Sequence, residues 1–266
     1  MKHLSNYVFR WLAGNMLFQK TFEIMHNFSL KGMNIGSGAS TATSGEKNVL
    51  KYIYKKLADS KTPIIFDVGA NVGNYSLLCQ SIFQNKATIF AFEPSQFTYQ
   101  KLLKNTGEYL NIKQFKLGLS DKKEKKTLYS NVPTSGLASV YKRRLNHFNI
   151  EFNTQEQIEL TTLDEFCFEY NIKKIHFLKM DVEGHEIKVL NGAINLIKAF
   201  KIDFIQFEFG GCNIDSRTFF QDFYYLLKDQ YRIYRIVKNG LFEIKSYKET
   251  QEVFLSTNFL AERISE

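Results

Sequence analysis

Proline, cysteine and tryptophan are scarce: 266 residues hold three prolines, three cysteines and one tryptophan. Pro63, Pro94 and Pro133 stand far apart, so no proline-rich linker divides the chain. Cys79, Cys167 and Cys212 are odd in number and widely spaced, with no metal or redox spacing. That excludes a disulfide framework and a zinc module, and the three read as reduced thiols of a cytoplasmic protein. Long apolar runs are missing too. Residues 1–35 are rich in large apolar side chains, among them Tyr7, Val8, Phe9, Trp11, Met16, Leu17, Phe22, Ile24 and Met25. Arg10, Asn15, Lys20, Glu23 and His26 interrupt every run. No stretch approaches the ~20 apolar residues of a membrane span, and none has the apolar region and small-residue cleavage site of a signal peptide. The segment is expected to form one or two amphipathic helices that pack on the domain or on a second subunit. The alternative is a helix lying on a membrane surface.

What is present suits a packed domain: 44% of residues are hydrophobic and 15% aromatic, enough for a core. The length allows one large α/β domain, 43–266, preceded by a helical appendage and loop, 1–42. The net charge of +8 lies largely in Lys122-Lys123-Glu124-Lys125-Lys126 and Lys142-Arg143-Arg144. Such clusters read first as solvated faces; nucleic acid, an anionic membrane or a phosphorylated substrate are the other partners they suit.

The chain is organised around Ile64-Ile65-Phe66-Asp67-Val68-Gly69-Ala70-Asn71-Val72-Gly73-Asn74-Tyr75-Ser76. This predicts a buried parallel strand, a tight turn and a helix N-terminus. The turn is G-x-x-x-G; the middle glycine that lets a pyrophosphate approach the backbone is absent, which argues against NAD or FAD. Asp67 would repel a phosphate but suit an ammonium or sulfonium, leaving a carboxylate for the free amides of the helix. Upstream, Thr43-Ser44-Gly45-Glu46 has capping-box spacing and starts a helix carrying Val49, Ile53 and Leu57. Downstream, strands are predicted at 87–92, 113–119, 126–129, 175–180, 202–209 and 258–261, with a hairpin at 231–244 turning at Asn239-Gly240. Helices are predicted between them, at 97–109, from 162, around Val189 to Ile197 and at 219–227. The stretch 131–157 has little periodicity and reads as a lid, an acceptor-binding loop or a plain surface insertion. Strands alternating with helices and ending in a hairpin describe a doubly wound, mostly parallel sheet with an antiparallel edge, and no second core is apparent.

Ligands of open α/β sheets lie at the carboxyl ends of the strands. Four predicted strands carry acids there: Asp67, Glu93, Asp181 and Glu208. Glu93, about 20 positions past the glycine turn, suits hydrogen bonds to ribose hydroxyls. His185, in Asp181-Val182-Glu183-Gly184-His185-Glu186, is a candidate general base, or else a solvent-facing residue or one bonded to Glu183. Asp181 with Glu208 is a candidate divalent-cation pair, although two carboxylates alone do not make a site.

Together these residues resemble the FkbM-type family of S-adenosylmethionine-dependent methyltransferases. The matching pieces are FDVGANVGNYS at 66–76, FEP at 92–94, LGLSD at 117–121, LKMDVEGHEIKVLNGA at 178–193 and FEF at 207–209, covering roughly residues 43–261. The resemblance implies the seven-stranded, Rossmann-like class I methyltransferase sheet and S-adenosylmethionine as cofactor. It implies a cofactor site along Asp67, Gly69, Ala70, Asn71, Val72, Gly73, Tyr75 and Ser76 for the methionine part. Glu93, Pro94 and Ser95 would meet the ribose, Leu119, Ser120 and Asp121 would lie near the adenine, and Asp181 completes the set. The expected reaction is methyl transfer to a hydroxyl of a small molecule, preferably a sugar of a bacterial surface polysaccharide or its nucleotide-linked precursor. His185 or Asp181 is expected as base and Glu208 as the residue that orients the acceptor. A homo-oligomer through the N-terminal helices is a further expectation. A nucleic-acid methyltransferase is the first rival, lacking the N/D-P-P-Y turn and any Pro-Cys nucleophile. The others are an NAD-dependent oxidoreductase and a non-catalytic scaffold that keeps the fold.

Overall fold

The structure is a computed structural model and describes residues 12–38 and 44–264. Tyr7, Val8, Phe9 and Trp11, expected in the N-terminal helices, and Thr43 of the capping box lie outside the described residues. In chain order the helices are α1 (Gln19–Gly32), α2 (Glu46–Lys56), α3 (Asn74–Phe83), α4 (Gln96–Thr106), α5 (Leu163–Glu169), α6 (Glu186–Asn191), α7 (Ile194–Lys198), α8 (Cys212–Ser216) and α9 (Phe220–Leu227). The strands are β1 (Ile64–Val68), β2 (Thr88–Phe92), β3 (Ile112–Phe115), β4 (Gly118–Leu119), β5 (Glu124–Ser130), β6 (Thr154–Thr161), β7 (Ile175–Met180), β8 (Ile202–Phe209), β9 (Tyr231–Val237), β10 (Gly240–Glu243) and β11 (Thr257–Arg263).

The main sheet has the order β10-β9-β11-β8-β7-β1-β2-β3. From β8 to β3 the strands are parallel; β11, β9 and β10 add an antiparallel edge. Neighbouring side chains of one strand enter opposite cores: Ile65 packs with Val49, Leu50, Ile53 and Ile89, whereas Phe66 packs with Phe92, Phe166 and Leu178. Burial on both faces is why the parallel strands read as continuous apolar runs. The chain order reverses between β1 and β7, and that switch point opens a crevice at their carboxyl ends.

Several expectations are corrected here. The main sheet has eight strands instead of seven, because both arms of the hairpin join it and Leu241 of β10 packs against the α2 side of the core. The strand expected over 113–119 stops at Phe115; Gly118–Leu119 pairs instead with β6. The strand expected at 126–129 pairs with β6 as well, so β4, β6 and β5 form a separate three-stranded sheet. That sheet has its own small core of Leu128, Ile158 and Leu160, where no second core was expected. The helix expected around Val189 to Ile197 is two helices broken after Asn191. A Cβ on Gly192 would lie 2.0 Å from the Ser120 carbonyl oxygen, so the close approach of those two segments requires glycine. The N-terminal helix does not pack along the domain: Leu30 is the one buried residue of α1. All three cysteines are free and buried. Among the described residues no helix is long and apolar enough to cross a membrane.

Candidate functional site

The turn after β1 brings backbone rather than charge to the crevice. Gly69 has φ +76°, and a Cβ there would lie 1.9 Å from the Asp181 carbonyl oxygen, so the β1 and β7 ends meet only through glycine. Asp67, expected to face a ligand's positive group, is fully buried. Its carboxylate accepts a hydrogen bond from Ser76 Oγ (2.7 Å) and pairs with Lys179 Nζ on β7 (3.3 Å). Burial alone would pull the Lys179 ammonium's pKa down; Asp67, Asp181 and Glu46 outweigh it and hold the group well above its ordinary value. Lys179 also lies 4.9 Å from the Tyr75 ring centroid. Asp67 and Ser76 therefore tie the sheet together beneath the crevice and line neither cavity described next.

The first cavity, about 720 Å³, lies over the ends of β1 and β2. Gly69, Asn71, Glu93, Pro94, Leu119, Asp181 and His185 line it, as expected residues do; Leu128, Val140, Ile158 and Leu160 roof it. The roof is the core of the small sheet, and the segment that looked irregular adds Ser135, Gly136, Ala138 and Val140 to the same cavity. Glu93 Oε2 accepts from the Asn71 amide and Oε1 from the Ser95 amide, both at 3.0 Å. Burial pushes its carboxyl up to about 7, against those two hydrogen bonds.

The second cavity, about 1320 Å³, opens toward α2, β8 and the loop before β11. Ala70 and Val72 of the turn and Tyr75 of α3 line it with Glu46, Arg143, Lys179, Glu208, Cys212 and Ser256. Gly69, Asn71, Gly136, Asp181 and Glu183 line both cavities and form the wall between them. The Asp181 side chain is 47% exposed and 3.6 Å from Lys179 Nζ. Glu208 accepts a hydrogen bond from Ser256 Oγ; burial, with Asp181 nearby, pushes its carboxyl up to about 8. Glu183 holds a left-handed φ of 52° and pairs with Arg143, while its carbonyl accepts from Ser139 Oγ (2.7 Å). Its pKa also rises, through burial first and then through Asp181 and Glu208. Glu46, expected in a capping box, instead accepts from Ser44 Oγ and Gln206 Nε2, and Gln206 accepts from Tyr75.

His185 has neither of the surroundings expected of it. Nε2 is 2.9 Å from Ser120 Oγ and Nδ1 3.1 Å from the Tyr141 hydroxyl. Burial, with Lys126 nearby, pushes its pKa down to about 3, so the ring stays neutral and is a weak proton acceptor. Gly73, Ser95, Ser120 and Asp121 line neither cavity; Ser120 holds His185 and Asp121 pairs with Lys188 (2.7 Å). Asp181, expected to share a cation with Glu208, lies near it but is absent from the one group of three or more ligand-type side chains among the described residues. Among the described residues, Glu183, Glu208 and Cys212 bring their donor atoms within 4.8 Å of one another. Arg143 engages the first and Ser256 the second, and burial pushes the Cys212 thiol up so that it keeps its proton. These are weak metal donors.

Sequence reasoning missed Arg143, Tyr141, Cys212 and Ser256. Arg143 stands in a cluster read as a solvated face, yet its side chain is 8% exposed and turned toward Glu183 and Asp215. The uncharged run 131–141 just before the cluster was the available hint; Ser256 offered none.

An open, mostly parallel sheet with an antiparallel edge and a crevice at its switch point is the fold of the class I methyltransferases. The chain belongs to the FkbM methyltransferase family: the family's model, described as a methyltransferase FkbM domain, matches residues 67–235. It is 25% identical over 170 residues to the hexuronic acid methyltransferase AglP of Haloferax volcanii, covering 62% of this chain and 64% of that one. It is also 25% identical over 148 residues to the 2-O-methyltransferase NoeI of Sinorhizobium fredii, covering 51% of this chain and 59% of that one. The matches thus span less than two thirds of either relative. A solved S-adenosylmethionine-dependent O-methyltransferase from Thermotoga maritima superposes with a TM-score of 0.41 and 12% identity, over 82% of this chain and 66% of that one.

Proposed function

We propose that this protein transfers a methyl group from S-adenosylmethionine to a hydroxyl of a small sugar or nucleotide-linked sugar. The observation that carries the reading is the pair of cavities meeting at one wall, Gly69, Asn71, Gly136, Asp181 and Glu183, at the switch point of the sheet. The residues that line the first cavity fit the cofactor. The apolar roof of Leu128, Ile158 and Leu160 with Leu119 suits a purine, and Glu93 suits a ribose diol. The N-terminus of α3 suits a carboxylate. The ammonium goes to Asp181, which is half-exposed and lines both cavities, since Asp67 is fully buried and lines neither.

Bound there, S-adenosylmethionine supplies a methyl group on an already activated sulfonium leaving group. The chain's own contribution is alignment of the acceptor in the second cavity, with Asp181 at the common wall. Glu208 takes the hydroxyl proton: a carboxyl near 8 is a better matched base than one near 4, and far better than a histidine near 3. His185 is a positioning residue, fixing the β4–β5 turn through Ser120 and the 131–157 segment through Tyr141. That one relative is a hexuronic acid methyltransferase favours a sugar acceptor. Residues 43–266 would form the catalytic domain and 1–42 an appendage, in the reducing cytoplasm that three free thiols suit.

The test is calorimetric titration with S-adenosylmethionine, with NADH as control, on wild type and Glu93→Gln, followed by transfer assays on sugars and nucleotide sugars. Micromolar binding weakened in the variant and methylation of a hydroxyl are expected. NADH binding without S-adenosylmethionine binding would overturn the reading.

A further inference from the structure

The face of α1 that points away from the domain has no covering element among the described residues. Leu17, in the turn that leads into the helix, is 80% exposed, Ile24 69% and Phe28 77%. At 100° per residue Ile24 and Phe28 lie about 40° apart on α1 with Met25 beside them, and Leu17 stands in the 3-10 turn just ahead of the helix. Leu30, the one residue of α1 that is buried in the domain, lies on the opposite side. A run of large apolar side chains held in water calls for an explanation, since single exposed ones do not.

Charge and area together choose the occupant. Lys20 and Lys31 fall on one flank of the apolar line, and the acid Glu23 falls on the far side of the helix. Over residues 1–35 the chain carries Lys2, Arg10, Lys20 and Lys31 against Glu23 as the single acid. A helix of this length runs about 21 Å, and its apolar face offers a handful of side chains, whereas a stable dimer needs about 20–30 residues a side. A lipid surface asks for no such matching area; it takes an apolar face flanked by basic residues.

We propose that α1 docks this protein on an anionic lipid surface. The helix is coupled to the crevice through the strap that follows it. Gly36 donates to Thr257 Oγ1 (3.3 Å), Gly38 donates to the Ser256 carbonyl (3.0 Å), and Gly38 lines the second cavity. Docking would therefore bring that cavity to the headgroup layer. The proposal rests on α1 alone and stands whether or not the acceptor is a sugar.

The experiment is co-sedimentation of the full chain with phosphatidylcholine vesicles, with and without phosphatidylglycerol, at low and high salt. Wild type is expected to bind the anionic vesicles, more weakly as salt rises. Leu17→Glu/Ile24→Glu/Phe28→Glu should lose roughly tenfold or more of that binding, and Lys20→Glu/Lys31→Glu a smaller share. Both variants should keep the wild-type melting temperature and S-adenosylmethionine affinity, because α1 touches the domain through Leu30. Failure of the wild type to bind, equal binding to neutral vesicles, or binding unchanged in the triple variant would overturn the proposal. So would a lipid-free dimer, seen by analytical ultracentrifugation, that the triple variant turns into a monomer, since the face would then belong to a second copy.

Discussion

The two cavities share a wall and differ in almost everything else. The first is roofed by aliphatic side chains, and apart from Asp181 and Glu183 of the shared wall its one acid is Glu93, whose oxygens are fixed by two backbone amides. The second is walled by carboxylates, an arginine, a lysine and hydroxyls, most of them engaged with one another. An apolar slot with one fixed polar anchor binds by shape and burial, and tolerates changes that keep volume. A polar chamber of interlocked charges acts through protonation, so removing one partner alters the rest. Binding should therefore reside in the first cavity and proton transfer in the second.

The sharpest way to break this division is Glu208→Gln. The turnover should fall by about 10²–10⁴, with S-adenosylmethionine affinity unchanged in a calorimetric titration. In wild type the rate should rise with pH through about 8, as the Glu208 carboxylate forms, and that limb should vanish in the variant. A rate profile flat across this range would assign the proton to another group.

Lys179→Met comes next. It strands the buried Asp67 carboxylate and should cost about 3–5 kcal/mol in thermal or denaturant unfolding. Asp67→Asn combined with Lys179→Met should regain a large part of that loss. Additive losses in the double variant would show that the pair is not the unit the geometry describes.

Glu93→Gln probes the first cavity: the cofactor's affinity should fall by about tenfold or more, with a smaller change in turnover. It also carries a stability signature. Glu93 and Glu208 have folded pKa values raised to about 7 and about 8, above the ordinary carboxylate value. Their contribution is complete below about pH 4 and lost as pH rises through those folded values. The ligand-free melting temperature should therefore decline between about pH 5 and 9, less steeply in Glu93→Gln. The smallest effect is expected from His185→Gln, a loss of turnover below about tenfold with the pH profile unmoved. A collapse as deep as that of Glu208→Gln would return His185 to the role of base.

Much of the first cavity was legible because its parts are contiguous. The glycine turn at Gly69, the acid at Glu93 and the loop at Asp181 each follow a buried apolar strand, and strand ends converge by topology alone. What escaped notice is contact between distant segments. Asp67 and Lys179 meet only because β1 and β7 are neighbours in register. His185 finds its partners on the turn after β4 and in the 131–157 segment. The small sheet was hidden for a different reason. β4 is two residues long, and in β6 the inward Ile158 and Leu160 alternate with Glu and Gln, giving too short a period-two signal to stand out.

The pairing of Asp67 with Lys179 also bears on how such a chain can change over generations. Either residue alone is a liability, because each is the other's counter-charge in a place water does not reach. A lineage that drifts at one position passes through a poorly folding intermediate unless the second change is already present. The two sites should accordingly be inherited as one character, both kept or both exchanged for apolar residues, even though more than a hundred residues separate them.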